Sequence, residues 1–356
     1  MSILKRKKSW LLLALLLMTS SCSYVSCRFG SQLYYIFDFN SRLDQYAMNV
    51  YIAEGGSSTA ASILRLLYLL GFATPAPFLS GSRGTYITGY YSSANTASGG
   101  AYLVMDNSIG WINGKSGLLR NTIALPTTGF QDFHIEPGGK YGYATSKSSS
   151  LAYNIDLTTY KVSSTIDFGL NSRPYGSAFL PDGTRTYFTD NAKNQFYSLD
   201  NLSKTFRTMT LPGTNPGKPA ISPDGLSLWF PMYGSNKVLV YDRLTETLTT
   251  TISNVPSPRE ISFNYTGTRA YALSSPASGV GSVWALDAGN YSVLGNVNVG
   301  FAPMGMSWSP GGTRLFTANS GSGTVSMLDV SGKIPLSALT FDVGSNPTGV
   351  VAVPAN

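Results

Sequence analysis

The chain is 356 residues long, 43% hydrophobic and only 12% charged, with 37 glycines and 22 tyrosines. Its formal net charge of +7 falls to +3 once the first 21 residues, with four basic and no acidic side chains, are set aside. No basic cluster remains to argue for nucleic acid, and one histidine with two cysteines cannot build an ordinary zinc site.

Residues 1–21 read as a secretory signal: Lys5, Arg6, Lys7 and Lys8, then "SWLLLALLLM", then small residues. The apolar run is too short to span a membrane comfortably. "MTSSC" resembles the lipobox of bacterial lipoproteins, with Thr19 where leucine is common. That resemblance implies lipidation at Cys22 and a membrane-anchored location in a bacterial cell envelope, outer membrane or periplasm; plain secretion is the alternative. From residue 22 onward one β-propeller domain is expected.

Within it, "SYVSC", "QLYYIFD" and "QYAMNVYI" read as three strands. Residues 54–74 are expected to be an insertion. "STAASILRLLYLLGFA" has Ser58 or Thr59 as a helix N-cap and Gly71 as a C-cap, so a short helix is predicted there. Pro75 and Gly84 then open the first of six regular units, with about 12 extra residues between Gly89 and Ser108.

The units show themselves by period. Gly139, Gly183, Gly225, Gly267 and Gly312 are separated by 44, 42, 42 and 45 residues. Nine residues before them stand Phe130, Pro174, Pro216, Pro258 and Pro303. Four residues after come Tyr143, Tyr187, Trp229, Tyr271 and Phe316. Asp156, Asp200, Asp242 and Asp329 follow at 17, and Asp287 at 20. Each unit thus offers an apolar strand, a Pro-Asp-Gly-like turn, an aromatic-bearing strand, and a strand ending in an Asp suited to an Asx-turn. Four short strands in about 43 residues make a propeller blade. The C-terminal "PTGVVAVPAN" supplies a lone first strand. An all-β, seven-bladed propeller follows, its last blade shared between the N- and C-termini, which closes exposed sheet edges. The C-terminal strand is expected beside the segment that follows Cys22.

"RLFTANSGSGTVSMLDVSGK" resembles the YVTN repeat of surface-layer-type β-propellers. The likeness covers roughly residues 75–356, and weakly 22–53. It implies seven blades, export and, for most members, no established enzymatic activity.

Catalytic candidates are few. His134 is the sole histidine and reads as a structural or channel-lining residue; the repeated aspartates read as turn residues. No catalytic, metal or cofactor-binding residue is assigned. The insertions at 54–74, 89–108 and 275–281 are all expected on the face of the 4–1 and 2–3 loops. Leu64, Leu67 and Tyr68, with Tyr90, Tyr91 and Tyr102, are the expected contacts to a protein or surface partner. The leading expectation is a monomeric, non-catalytic binding or scaffolding module. One alternative is a lactonase-like hydrolase using the central channel mouth, marked by carboxylates converging there with His134 and an arginine. The other is a surface-layer-type structural or adhesive protein.

Overall fold

Turn glycines and buried aromatics repeat in space as they do in sequence. The computed structural model describes residues 25–29, 32–36, 48–54, 61–67, 72–77, 84–90, 100–113, 119–332, 334–343 and 346–354. The protein is an all-β propeller of four-stranded antiparallel blades. Among the described residues, the only helical element is one 3-10 turn, Tyr233–Ser235.

Six blades are each made of four consecutive strands. Blade 1 comprises Gly84–Tyr90, Gly100–Met105, Ser108–Asn113 and Leu119–Ala124. Blade 2 comprises Phe130–Ile135, Tyr141–Ser146, Leu151–Asp156 and Lys161–Asp167. Blade 3 has Pro174–Phe179, Arg185–Asp190, Gln195–Asp200 and Phe206–Thr210. Blade 4 has Ala220–Ile221, Ser227–Met232, Lys237–Asp242 and Thr247–Ser253. Blade 5 has Pro258–Phe263, Arg269–Ser274, Val280–Asp287 and Val293–Phe301. Blade 6 has Pro303–Trp308, Arg314–Asn319, Thr324–Asp329 and Leu336–Asp342. A further four-stranded sheet is composite: Pro347–Pro354 comes first, then Met48–Glu54, Ala61–Leu67 and Phe72–Pro77. Its first strand touches the first strands of both blade 6 and blade 1.

The repeat residues hold this arrangement by ordinary means. Gly139, Gly183, Gly225, Gly267 and Gly312 all have φ between 69° and 73°, where a Cβ would be strained. The turns also stack around the ring: a Cβ on Gly267 would lie 3.2 Å from Pro223, and one on Gly312 3.2 Å from the Tyr265 ring. Tyr143, Tyr187, Trp229, Tyr271 and Phe316 are at most 1% exposed and fill the spaces between blades. Phe196 of blade 3 stacks on Phe230 of blade 4 at 4.6 Å. Outer strands alternate instead, as in Lys161–Asp167, because one face meets water. The Asp slots make the expected Asx-turns. Asp156 accepts from the amides of Thr158 and Thr159, Asp200 from Leu202 and Ser203, and Asp287 from Gly289 and Asn290.

Several expectations need correction, all in the N-terminal third. The C-terminal strand does not pair with the segment after Cys22. It pairs with Met48–Glu54, Tyr51 opposite Val351 and Ile52 opposite Val350. That pairing buries Ile52 against Val350, Ala352 and Phe316. Val25–Phe29 and Gln32–Ile36 instead form a separate hairpin, each satisfying the other's ladder. The helix predicted in 54–74 is replaced by the strands Ala61–Leu67 and Phe72–Pro77. A short run that is apolar all round suits a covered strand as well as a buried helix, and the sheet supplies its hydrogen bonds. Pro75 lies within the second of these strands, so blade 1 begins at Gly84. The extra residues at 91–99 therefore join its first and second strands rather than its second and third. The connection is thus a 1–2 rather than a 2–3 one, and residues 91–99 themselves lie outside the described residues. Residues 275–279 do join a second strand to a third, as expected.

Candidate functional site at the channel mouth

The first strand of each blade is innermost, and successive first strands touch around the ring. A ladder irregularity opens most of them: the register shifts between Phe130 and Asp132, Pro174 and Ser177, Pro258 and Glu260, and Pro303 and Gly305. Such bulges re-aim side chains. The residue one past the Pro slot is left out of the ladder; in blades 3 and 5 it is Tyr175 and Arg259, and both line a cavity.

That cavity, of about 200 Å³, opens on the face of the 4–1 and 2–3 loops. Its walls are Tyr175, Asn191, Asn215, Pro216, Gly217, Tyr233 and Arg259. Arg259 Nη1 donates to Tyr175 Oη at 3.0 Å, and the guanidinium carbon lies 5.0 Å from the Tyr233 ring centroid. Arg259 Nε is buried with no hydrogen-bond partner. Gly217 is required here: a Cβ would lie 2.1 Å from the Arg259 carbonyl oxygen.

One residue deeper, two past the Pro slot, the ring reads Asp132, Gly176, Lys218, Glu260, Gly305 and Gly349. Asp132 and Glu260 are treated alike by their neighbours. Asp132 Oδ2 accepts from the Ser177 amide at 3.1 Å and the Ser177 hydroxyl at 3.3 Å. Glu260 accepts from the corresponding amide, that of Met306. In each case a glycine stands beside the acid, Gly176 or Gly305. The difference lies two blades along. Lys218 reaches back over Gly176 and puts Nζ 3.1 Å from Asp132 Oδ1. This is an ion pair without hydrogen-bond alignment at that oxygen. The position corresponding to Lys218 for Glu260 is Gly349, which has no side chain to offer. Glu260 Oε2 is accordingly buried without a hydrogen-bond partner, and a Cβ on Gly305 would lie 3.8 Å from it.

Burial pushes the Glu260 carboxyl up to about 7, beyond what the nearby Lys218 charge pulls it back. Burial likewise lowers His134, which Asp132 opposes, so its imidazole is neutral at neutral pH. Chemically, the channel offers a buried carboxyl raised to about 7 and, separately, an arginine held against Tyr175 and Tyr233. Among the described residues no group of His, Cys, Asp and Glu could hold a metal ion.

The expected partner contacts are placed elsewhere. Tyr102 is 4% exposed, packed on Trp111 and Phe133 in the aromatic slot of blade 1, and so is core. Leu64 and Tyr90 lie in strands, as does Leu67, but their side chains are outside the described set. Tyr68, Tyr91 and Cys22 are outside the described residues. Asp132, Lys218, Glu260 and Arg259 were not among the sequence candidates, though their common phase in the repeat was there to be read.

No family model and no curated protein matches the chain. Solved structures do share its fold. A candidate 6-phosphogluconolactonase of Bacteroides uniformis superposes with a TM-score of 0.73 at 16% identity, over 87% of this chain and 100% of that one. The periplasmic gluconolactonase of Pseudomonas aeruginosa gives 0.70 at 16% identity, over 87% and 100%. Hydrazine synthase of Kuenenia stuttgartiensis gives 0.62 at 16% identity, over 77% and 92%. The expectation of a non-catalytic module is corrected: structural neighbours carry lactonase names. Asp132 and Glu260 are both buried at the same repeat position, though of the groups expected at the mouth only Arg259 lines the cavity.

Proposed function

We propose that the protein is a lactonase-like hydrolase whose active site is the channel mouth. The scaffold reads as a seven-membered ring of the surface-layer repeat type, with the composite sheet as the closing blade. The observation that carries the function is the asymmetry between the two acids. Asp132 is paired with Lys218, whereas Glu260 keeps one buried oxygen without a hydrogen-bond partner.

The chemistry follows from those positions. A cyclic ester bound between Tyr175 and Tyr233 directs its carbonyl oxygen to Arg259, whose Nε has no other partner. Glu260, ionised, takes a proton from water as the oxygen of that water attacks the carbonyl carbon. Charge developing on the carbonyl oxygen is met by the guanidinium. The acyl–oxygen bond then breaks, and the ring alkoxide recovers a proton from Glu260. The product is an open hydroxy acid. Asn191 and Asn215 supply polar contacts to a hydroxylated substrate.

The test is a panel of lactones differing in ring size, hydroxylation and anionic substituents, followed by titration of released acid. Hydrolysis of at least one member is expected. Arg259→Lys keeps the charge but loses the planar fork, and is expected to reduce kcat/KM at least tenfold. The proposal fails if no lactone is opened above the spontaneous rate, or if Arg259→Lys leaves kcat/KM unchanged.

A further inference from the structure

The channel holds two acids in the same setting, and one of them has a lysine reaching it from two blades along. Asp132 and Glu260 stand at one repeat position, 1% and 9% exposed. Each accepts from the amide of the residue that follows the next blade's glycine, Ser177 for Asp132 and Met306 for Glu260. Over blade 3 the arrangement is complete. The Lys218 stem crosses Gly176, and its Nζ ends 3.1 Å from Asp132 Oδ1. Gly176 is what admits the stem, since a Cβ there would lie 2.8 Å from Lys218 Cγ.

Over blade 6 the same frame lacks its filling. Gly305 takes the place of Gly176, and Gly349 that of Lys218. The backbones keep the relation: a Cβ on Gly176 would meet Lys218 Cα at 2.8 Å, and one on Gly305 would meet Gly349 Cα at 3.6 Å. The second gap is therefore the wider. Glu260 Oε2 lies 3.8 Å from that same point above Gly305, and the Thr348 carbonyl oxygen 3.6 Å. What the frame lacks is a four-carbon stem ending in an ammonium group. Glu260 Oε2, at the end of the route, is buried without a hydrogen-bond partner. A buried acceptor in that state calls for a donor, and the complete pair over blade 3 shows which kind fits.

We propose that the gap over blade 6 binds a primary alkylammonium ion, with its ammonium on Glu260 and its chain laid over Gly305 as the Lys218 stem lies over Gly176. The ligand class is the unbranched primary amine, and n-butylammonium is the lysine side chain itself. An ammonium brings donors and a charge together, which a buried carboxylate rewards more than a neutral donor of the same shape. The site stands on this geometry and does not require the hydrolytic reading of Glu260.

The test is calorimetric titration of the full chain with n-butylammonium chloride at pH 8. That is above the value of about 7 to which burial raises Glu260, and an aliphatic ammonium stays charged there. Potassium chloride at equal ionic strength and 1-butanol are the comparison ligands. Saturable binding of n-butylammonium is expected, at least tenfold tighter than either. Gly305→Ala puts a methyl into the gap at ordinary contact distances, so the variant should fold and bind at least tenfold more weakly. Glu260→Gln should weaken binding by as much. Absence of saturable binding would overturn the proposal, as would unchanged affinity in Gly305→Ala. Potassium binding as tightly would also overturn it, since that result identifies a site for inorganic cations. No lactone enters the titration, so its failure leaves the hydrolase proposal standing, and failure of the lactone panel leaves this one.

Discussion

Replacing Glu260 by Gln is expected to lower kcat for lactone opening by about 10²–10⁴-fold, the usual worth of a positioned general base. The substitution keeps the shape and the bond from the Met306 amide while removing the proton acceptor. Because burial raises this carboxyl to about 7, the wild-type rate should climb as pH rises through that value and level off above it. The direction follows from the role: the base works only when ionised, and its ionised fraction grows with pH. In Glu260→Gln this limb should vanish and the residual rate should be flat across the same range. KM should change little, since binding rests on Arg259 and the tyrosines. A variant that keeps both rate and pH limb would remove Glu260 from the mechanism.

The second large effect concerns stability. Asp132 and Lys218 are both buried and meet over blade 3, with Gly176 making room for the lysine stem. Removing one partner leaves an uncompensated buried charge, at a cost of about 3–5 kcal/mol. Asp132→Ala and Lys218→Met should each lower the urea midpoint strongly. The double variant should recover most of the loss, because the remaining charge is gone. Strictly additive losses would mean that the ion pair carries little coupling. Lys218→Met has a further consequence: without that cation, the Glu260 carboxyl should titrate higher and the activity limb should move to higher pH.

How far the sequence led can be judged from particular residues. From Phe130 onward the Pro, Gly, aromatic and Asp slots gave the strands and turns, because each slot has a local physical task that no neighbour can override. Before residue 100 the words fade. Taking Gly84 as the turn glycine puts Thr88 in the aromatic slot. The residue that fills that slot is Tyr102, 41 residues before Tyr143 and packed on Phe133. Thr88 was the sign that the unit had been entered one strand early. Residues 61–67 failed for another reason: seven mostly apolar residues do not declare a period, and only the waiting sheet edge decides between helix and strand. The site does not show as a local cluster in the sequence. Asp132, Lys218 and Glu260 lie 86 and 42 residues apart, and converge only because the ring brings one repeat position to one level. A charged residue two past the Phe or Pro slot, at the same phase in three blades, is the available signal. Which acid stays free could not be read, since that depends on Lys218 reaching across Gly176 and on nothing reaching from Gly349.

The most direct measurement is a crystal structure of the Glu260→Gln variant soaked with the best substrate of the lactone panel. An intact lactone should occupy the mouth between Tyr175 and Tyr233. Its carbonyl oxygen should lie within hydrogen-bond distance of Arg259, with a water between its carbonyl carbon and residue 260. A lactone bound on the opposite face or between blades, with this cavity filled only by solvent, would contradict the account.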